Sequence, residues 1–198
     1  MTQDRIALIM LGSALAIAVI GIVLRPMAAR FIAKLTRGKG WRIGPTIDGK
    51  NYSTGAVNGN VITVQDVHYI TRPTGPLSET LSVSFHLDAP LTGTGCGTSP
   101  ATATLYFQHK DDDWNTDGLR WWATFATVTL DHAGDYTMTA PLDGPWTSVL
   151  TKTAATDPGD FANSKNNAGL VGITLGNCTG YGHGATGPAT LTIASFNS

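Results

Sequence analysis

Residues 44–198 consist largely of short segments in which apolar side chains recur at every second position. In the segment 80–88, Leu81, Val83 and Phe85 alternate with polar residues, which is the pattern of a β-strand with one buried face. Seven segments of this kind cover 61–71, 80–88, 101–109, 121–130, 135–140, 169–176 and 188–196. Stretches rich in Gly, Pro, Asn and Asp separate them, as turns do. The pattern predicts an all-β domain, either a β-sandwich or a jelly roll.

Three tryptophans and one loop refine this prediction. Trp121 and Trp122 are neighbours on a predicted strand, so their side chains point to opposite faces and only one of them enters the core. Trp146 is also expected in the core. One helical turn is predicted in the stretch 157–168, with Asp160 as its cap.

The N-terminus has a different pattern. Residues 6–24 carry no charged side chain, and as a helix they would span about 28 Å, which is close to the hydrocarbon thickness of a bilayer. A cleaved signal peptide is the alternative, but the apolar run is long, the residues before it are weakly basic, and no A-x-A site ends it. The pattern predicts a single-pass transmembrane helix over 1–25, ahead of the β domain over 44–198.

The anchor and the segment after it offer surfaces for partners. Gly12 and Ala16 are small residues four positions apart, as are Ala14 and Ala18, and such pairs let another helix approach closely. The next segment, 26–43, predicts a short amphipathic juxtamembrane helix at the membrane surface. Its basic residues include Arg30, Lys34 and Arg37. They either contact anionic lipid or an acidic partner surface, or simply flank the membrane.

The composition excludes some functions. The net charge is −1, only 14% of the residues are charged, and no run of basic and aromatic residues crosses the β domain, so nucleic acid is not an expected partner. Two cysteines are too few for a zinc site made of cysteines alone. The five histidines are scattered, and the sequence contains no motif of zinc proteases, serine hydrolases, haem attachment or P-loops. No enzyme activity is predicted.

One acidic loop has the spacing of the first half of a calcium-binding loop. Asp113, Asn115 and Asp117 alternate with other residues before Gly118. The closing glutamate of an EF-hand would stand where Thr124 is, which excludes that motif. A calcium site of another shape is one hypothesis for this loop, and a solvated hairpin loop is the other. No cofactor besides calcium is expected.

Aromatic residues outside the predicted strands are candidates for ligand contact. Trp114 and Tyr181 lie in predicted loops, where exposed rings could cover the apolar face of a sugar. They form the candidate glycan-binding face.

Residues 182–187, GHGATG, fit the G-x-G-x-x-G fingerprint of dinucleotide-binding loops. That fingerprint requires a helix after it, whereas the residues after Gly187 have the pattern of a final strand. The glycines are therefore expected to permit positive φ angles or a close backbone approach. The side chain of His183 is expected to be buried or capping.

Six segments of the β domain occur in a recognisable order: 44–55, 67–71, 96–112, 120–123, 145–149 and 170–184. This order resembles that of a group of largely uncharacterised secreted bacterial proteins, which are similar to β-sandwiches of the galactose-binding or carbohydrate-binding-module type. The resemblance covers nearly all of 44–198 and implies a sandwich without an established activity. Members usually begin with a cleaved signal peptide, whereas this chain keeps an anchor.

The cysteines before GTSP and within LGNCTGYGHG appear together in that group, which implies a disulfide between Cys96 and Cys178; two buried thiols are the alternative. A disulfide requires an oxidising compartment and so favours a periplasmic β domain. The basic residues after the anchor favour the cytoplasmic side by the positive-inside rule. Because long domains translocate largely regardless of charge, we expect an inner-membrane protein with its C-terminal domain in the periplasm.

These features predict a non-catalytic, membrane-anchored accessory or structural subunit that docks on a larger integral membrane complex, photosynthetic or respiratory. Its expected partners are integral membrane subunits and lipid. The alternative is a membrane-tethered carbohydrate-binding module at the cell surface, with glycan as its partner. A groove lined by aromatic residues favours sugar, and an apolar or basic face continuous with the anchor favours a protein partner.

Overall fold

The computed structural model describes residues 40–44, 46–47, 50–51, 53–97, 99–149, 151–178 and 181–198. Residues 40–198 form one compact unit. The predicted anchor and the juxtamembrane residues up to 39 lie outside the described residues, and with them Gly12, Ala16, Arg30, Lys34 and Arg37. Within the described ranges, no helix has both the length and the apolar character needed to cross a membrane.

Two antiparallel sheets make up the domain. The five-stranded sheet has the order β1 (Arg42–Gly44), β6 (Tyr69–Pro73), β12 (Ala168–Gly176), β9 (Thr102–His109) and β10 (Arg120–Thr129). The six-stranded sheet has the order β11 (Gly134–Pro141), β7 (Thr80–Leu87), β13 (Ala185–Asn197), β5 (Val61–Val67) and β4 (Thr54–Asn58), with β8 (Thr92–Gly93) pairing with the start of β13. The short strands β2 (Thr46–Ile47) and β3 (Lys50–Asn51) pair with each other.

The predicted β-sandwich and its seven strand segments are present in the structure. The predicted strand 61–71 is two strands, because the chain leaves the six-stranded sheet at His68 and enters the five-stranded sheet as β6. At this crossing the N–H of His68 donates to Oγ of Ser53 at 3.0 Å. The compact unit begins before the predicted boundary, since Arg42 and Ile43, placed by the sequence pattern in the juxtamembrane segment, belong to β1.

The core lies between the two sheets. Leu81, Val83 and Phe85 point inward from β7, as their alternation predicts, and Leu105 and Phe107 point inward from β9. All five side chains are almost completely removed from water. Burying a side chain of this size contributes about 1.5–3 kcal/mol, so the facing rows of apolar residues are the main source of stability.

A helix, α1 (Pro158–Asn166), closes one end of the core. Its Phe161 packs edge-on against Phe107 and Trp121, with ring centroids 5.7 and 5.0 Å apart. Trp121 and Trp146 are fully buried, and each indole N–H donates to a backbone carbonyl oxygen at 2.8 Å. The polar atoms of both rings are therefore satisfied inside the core.

The cap of α1 differs from the prediction. Asp157 precedes the helix, and Pro158 takes the first helical position, where a missing N–H costs nothing. Asp160 lies within the first turn, and its Oδ2 accepts a hydrogen bond from Nζ of Lys152 at 2.7 Å. The prediction that Asp160 caps the helix is wrong, since the proline moves the helix start upstream.

The glycine-rich stretch 182–187 leads from β12 into β13, and no helix follows it. Gly182, His183 and Gly184 have φ angles of 93°, 91° and 97°, a backbone region that favours glycine. A Cβ atom on Gly184 would lie 2.6 Å from Oγ1 of Thr94. The glycines therefore serve positive φ angles and a close approach, as predicted. His183 is exposed in a loop between strands, so the expectation of a buried or capping side chain is wrong.

A disulfide joins this connection to the loop after β8. Cys96 and Cys178 are bonded, with their Cα atoms 5.3 Å apart, as the family resemblance implies. The side chain of Asn177 reinforces the joint. Its carbonyl oxygen accepts the N–H groups of Gly95 and Cys96 at 3.2 and 2.8 Å, and its amide donates to the carbonyl oxygen of Gly97 at 2.9 Å. The bond and the amide together hold the two loops in one arrangement.

Removal of the disulfide tests how far this joint stabilises the domain. The bond closes a loop of 82 residues, and the chain-entropy treatment assigns about 4–5 kcal/mol to a loop of that length. We expect a Cys96→Ser, Cys178→Ser variant to lose about that much free energy of unfolding in urea titration. Reduction of the unmodified protein should cause the same loss. An unchanged unfolding midpoint would show that Asn177 alone holds the loops together.

Candidate binding site

The five-stranded sheet buries its second face as well as the face toward the core. On β9, Leu105 and Phe107 point into the sandwich, so Thr104, Tyr106 and Gln108 must point the other way. These three side chains are nevertheless buried. A second layer of structure therefore covers this face.

On this face, aromatic side chains of the sheet pack against side chains from neighbouring loops. Tyr69, Tyr106 and Trp122 are buried there, and three partly buried residues pack against them: Trp114, Val149 and Tyr181. We call these six residues the outer aromatic layer. Tyr69 contacts Tyr106 and Trp114 edge-on, with centroids 5.1 and 5.2 Å apart, and Trp122 contacts Tyr181 edge-on at 5.1 Å. As predicted, Trp121 and Trp122 occupy opposite faces of the sheet.

The layer thus brings together both residues of the candidate glycan-binding face. Trp114 comes from the loop between β9 and β10, and Tyr181 from the connection between β12 and β13. The carbonyl oxygen of Tyr181 accepts a hydrogen bond from the hydroxyl of Tyr69 at 3.3 Å. Both rings are half-buried and packed on the sheet rather than standing free in solvent.

A buried ion pair holds Trp114 in place. Oδ2 of Asp112 lies 2.8 Å from Nε of Arg120, and the two side chains are 0% and 10% exposed. Oδ1 of Asp112 accepts the N–H of Trp114 at 2.9 Å, and Nη2 of Arg120 donates to the carbonyl oxygen of Trp114 at 3.0 Å. The guanidinium also lies 4.6 Å from the centre of a Trp114 ring. The pair therefore contacts Trp114 at its N–H, its carbonyl and its ring.

Burial shifts the ionisation of the groups in this layer. It raises the pKa of Asp112 above the usual value, and the attraction of Arg120 opposes that shift only in part. Burial also raises the pKa of Tyr69 to about 12 and that of Tyr106 well above its usual value. Both tyrosines are therefore neutral over the physiological range and act as hydrogen-bonding groups, not as charges.

Several polar atoms of this face are buried without a hydrogen-bond partner among the described residues. They are Oγ1 of Thr104, the hydroxyl of Tyr106, Oε1 of Gln108 and Nε1 of Trp122. Leaving such a group unpaired costs about 1–3 kcal/mol, so folded proteins rarely leave several together. A ligand that carries hydroxyl groups can donate to some of these atoms and accept from others.

The calcium candidates lie outside the outer aromatic layer. They are on the exposed part of the loop between β9 and β10, which also carries Trp114. Oδ1 of Asp113 accepts the N–H groups of Asn115 and Thr116 at 2.9 and 3.0 Å, and these hydrogen bonds lower its pKa. Asn115 and Asp117 are exposed. No cluster of three or more His, Cys, Asp or Glu side chains suited to a metal occurs in the part of the chain that the structure describes. Calcium binding by Asp113, Asn115 and Asp117 stays a prediction.

The histidines lie on different strands and loops. His86 pairs with Asp135 at 2.7 Å on the exposed face of the six-stranded sheet. His68 lies 3.6 Å from Asp66, and burial lowers the pKa of His68 while Asp66 opposes that shift. These pairs are separate from the outer aromatic layer.

A surface cavity of about 430 Å³ lies beside α1, away from the outer aromatic layer. Its apolar lining includes Leu142, Pro145, Ala154 and Phe161, and its charged lining residue, Asp143, is exposed. We place the candidate site at the aromatic layer instead, because buried unpaired polar atoms and aromatic rings occur together there.

Alkaline titration of the tyrosines tests whether the layer is closed. Burial raises the pKa of Tyr69 to about 12 in the folded protein. Between pH 10 and 12, Tyr69 is therefore still protonated in the folded state but ionised in the unfolded state. The stability contributed by Tyr69 is complete below pH 10 and falls by about 2–3 kcal/mol as the pH rises to 12. Absorbance at 295 nm should show two of the five tyrosines ionising late. Ionisation of all five near pH 10 with native circular dichroism would contradict a closed layer.

Comparison with known proteins yields little. The sequence matches no protein-family model and no curated protein. Among solved structures, a xylan-binding module CBM15 matches with a TM-score of 0.39 and 17% sequence identity, over 79% of this chain and 92% of that chain. Similarity this low transfers no function. The two hydrogen-bonded sheets of this chain define the sandwich on their own. The bacterial source and secretion implied by the family resemblance stay predictions.

Proposed function

We propose that this chain is a non-catalytic accessory subunit that docks on a larger integral membrane complex, photosynthetic or respiratory, through an N-terminal anchor. The observation that carries the proposal is the uncharged run 6–24, with pairs of small residues along it and a basic segment after it. The β-sandwich, braced by its disulfide, is the domain that the anchor attaches to the complex.

We place the sandwich in the periplasm. The Cys96–Cys178 disulfide supports this side, because structural disulfides persist in oxidising compartments. The basic residues that follow the anchor oppose it through the positive-inside rule, which long domains often override.

Co-purification tests the subunit proposal. In a helix, Gly12 and Ala16 share one face, and Ala14 and Ala18 lie on nearly the opposite face. We expect the tagged chain to bring down stoichiometric integral membrane proteins in a mild detergent. A Gly12→Leu, Ala16→Leu variant should lose them, because bulky side chains prevent close helix approach.

The Ala14→Leu, Ala18→Leu variant adds similar bulk to the second pair of small residues, and we expect it to keep the partners, because only the first pair contains a glycine, which permits the closest approach. Loss of the partners in this variant alone would assign the contact to Ala14 and Ala18. Recovery of the unmodified chain only as a lone monomer would contradict the proposal. Retention of the partners by both variants would place the contact on a different surface from Gly12 and Ala16.

A second function, glycan binding, is favoured by the outer aromatic layer. Aromatic rings cover the apolar faces of sugars, and polar groups between them bond the sugar hydroxyls. Tyr106, Gln108 and Trp122 each bring a buried polar atom without a partner to this layer. The proposed site consists of these groups under Trp114 and Tyr181.

Removal of the Tyr106 hydroxyl tests the glycan site. The hydroxyl of Tyr106 is buried without a described partner, so Tyr106→Phe should leave the domain as stable as before or more stable. If a sugar uses that hydroxyl, the same variant should bind about tenfold more weakly. Binding is measured by affinity electrophoresis and calorimetry with xylan, galactan and soluble cellulose fragments.

Tyr136→Phe is the matched control. The hydroxyl of Tyr136, on β11, donates to the carbonyl oxygen of His132 at 2.8 Å, so its loss should lower stability slightly and leave binding unchanged. Equal affinity of the Tyr106→Phe variant and the unmodified protein would remove Tyr106 from the site. Absence of binding to the whole panel would remove the glycan function.

A further inference from the structure

The backbone of Trp114 is strained. Its φ angle is 69°, in the left-handed region that bulky residues rarely adopt. Such a conformation persists only where surrounding contacts impose it, and strained residues concentrate at ligand sites and switches. The contacts that impose it here come from Asp112 and Arg120.

These contacts depend on one another. Asp112 binds the N–H of Trp114 and pairs with Arg120, while Arg120 binds the carbonyl oxygen of Trp114 and lies over its ring. Loss of the Asp112 charge would therefore weaken every contact that holds the strained conformation.

The groups next to Trp114 have unmet hydrogen-bonding capacity. Trp114 packs on the cluster of Tyr69, Tyr106 and Trp122. Tyr106 and Trp122 are 0% and 1% exposed, and the hydroxyl of one and the Nε1 atom of the other lack a described partner. The strained residue Trp114 thus adjoins buried polar atoms that lack a described partner.

We infer that Trp114 is a releasable cover, latched by the Asp112–Arg120 ion pair, and that its release admits a neutral, hydroxyl-bearing ligand to Tyr106, Gln108 and Trp122. This inference rests on the proposed glycan function for the identity of the ligand, but not for the movement of the cover. We expect a neutral ligand because the buried polar atoms that lack a described partner, on Tyr106, Gln108 and Trp122, are all uncharged.

Acid is expected to release the cover, because protonation of Asp112 removes one half of the ion pair. The titratable or charged groups that act on Asp112 are Arg120, which favours its charged form, and Asp113, Tyr69 and Tyr106. The tyrosines stay neutral in acid, so they do not oppose protonation there. Since burial raises the pKa of Asp112 above 3.8, release begins at a higher pH than for an exposed aspartate.

Hydroxyl-radical footprinting with mass spectrometry tests the cover in the full-length protein. We expect Asp112→Asn to raise the labelling of Trp114 by about tenfold at pH 7, since a charge-assisted contact is lost. Asp113→Asn, which removes the exposed neighbouring carboxylate, should label like the unmodified protein. The unmodified protein at pH 4 should approach the Asp112→Asn labelling, and this comparison needs no variant to fold.

Association kinetics test whether displacement of Trp114 admits the ligand. Trp114→Gly removes the ring and relieves the strained φ, so it should speed association of neutral xylo-, cello- or galacto-oligosaccharides by about tenfold. Oligogalacturonate, an anionic comparator, should bind no variant. Unchanged labelling in Asp112→Asn and at pH 4, or unchanged association in Trp114→Gly, would overturn the cover. Altered labelling without binding of any oligosaccharide would support the cover and reject the glycan function.

Discussion

Burial of both faces of the five-stranded sheet is the constraint on which the rest of the domain depends. One face joins the sandwich core through residues such as Leu105 and Phe107, and the other is closed by the outer aromatic layer. Polar side chains on that second face, among them Tyr106 and Gln108, are therefore held away from water. The raised tyrosine pKa values and the unpaired polar atoms both follow from this single fact.

The two loops that close the layer are held in different ways. Tyr181 lies beside a joint made by the Cys96–Cys178 disulfide and the amide of Asn177, which fix the loop through a covalent bond and several hydrogen bonds. Trp114 depends on the ion pair of Asp112 and Arg120. Removing one partner of a buried pair leaves an uncompensated charge, so loss of either charge destabilises the contacts that hold Trp114. The layer is therefore easier to open at Trp114 than at Tyr181.

The strands of this domain could be predicted from the sequence because their signal is local. Alternation in β7 places Leu81, Val83 and Phe85 on one face without knowledge of any partner strand. The neighbours Trp121 and Trp122 had to separate for the same reason, since successive side chains of a strand point to opposite faces. The crossing at His68 could not be predicted, because it depends on which sheet each half of the segment joins.

The outer aromatic layer depends on distant residues, and its sequence signal is weak. The one sequence feature that indicates the layer is the continuous apolar run Leu105-Tyr106-Phe107. It breaks the alternation of apolar and polar residues and is typical of a strand buried on both faces. No local sequence feature marks Asp112 as the buried carboxylate, because Asp111, Asp112 and Asp113 are identical neighbours. Asp112 differs from its neighbours because it pairs with Arg120. Arg120 stands at the start of β10, where the strand register places it opposite Gln108 on β9. Pairing of the strands thus selects which aspartate is buried, and that aspartate sets the conformation of the tryptophan two residues later.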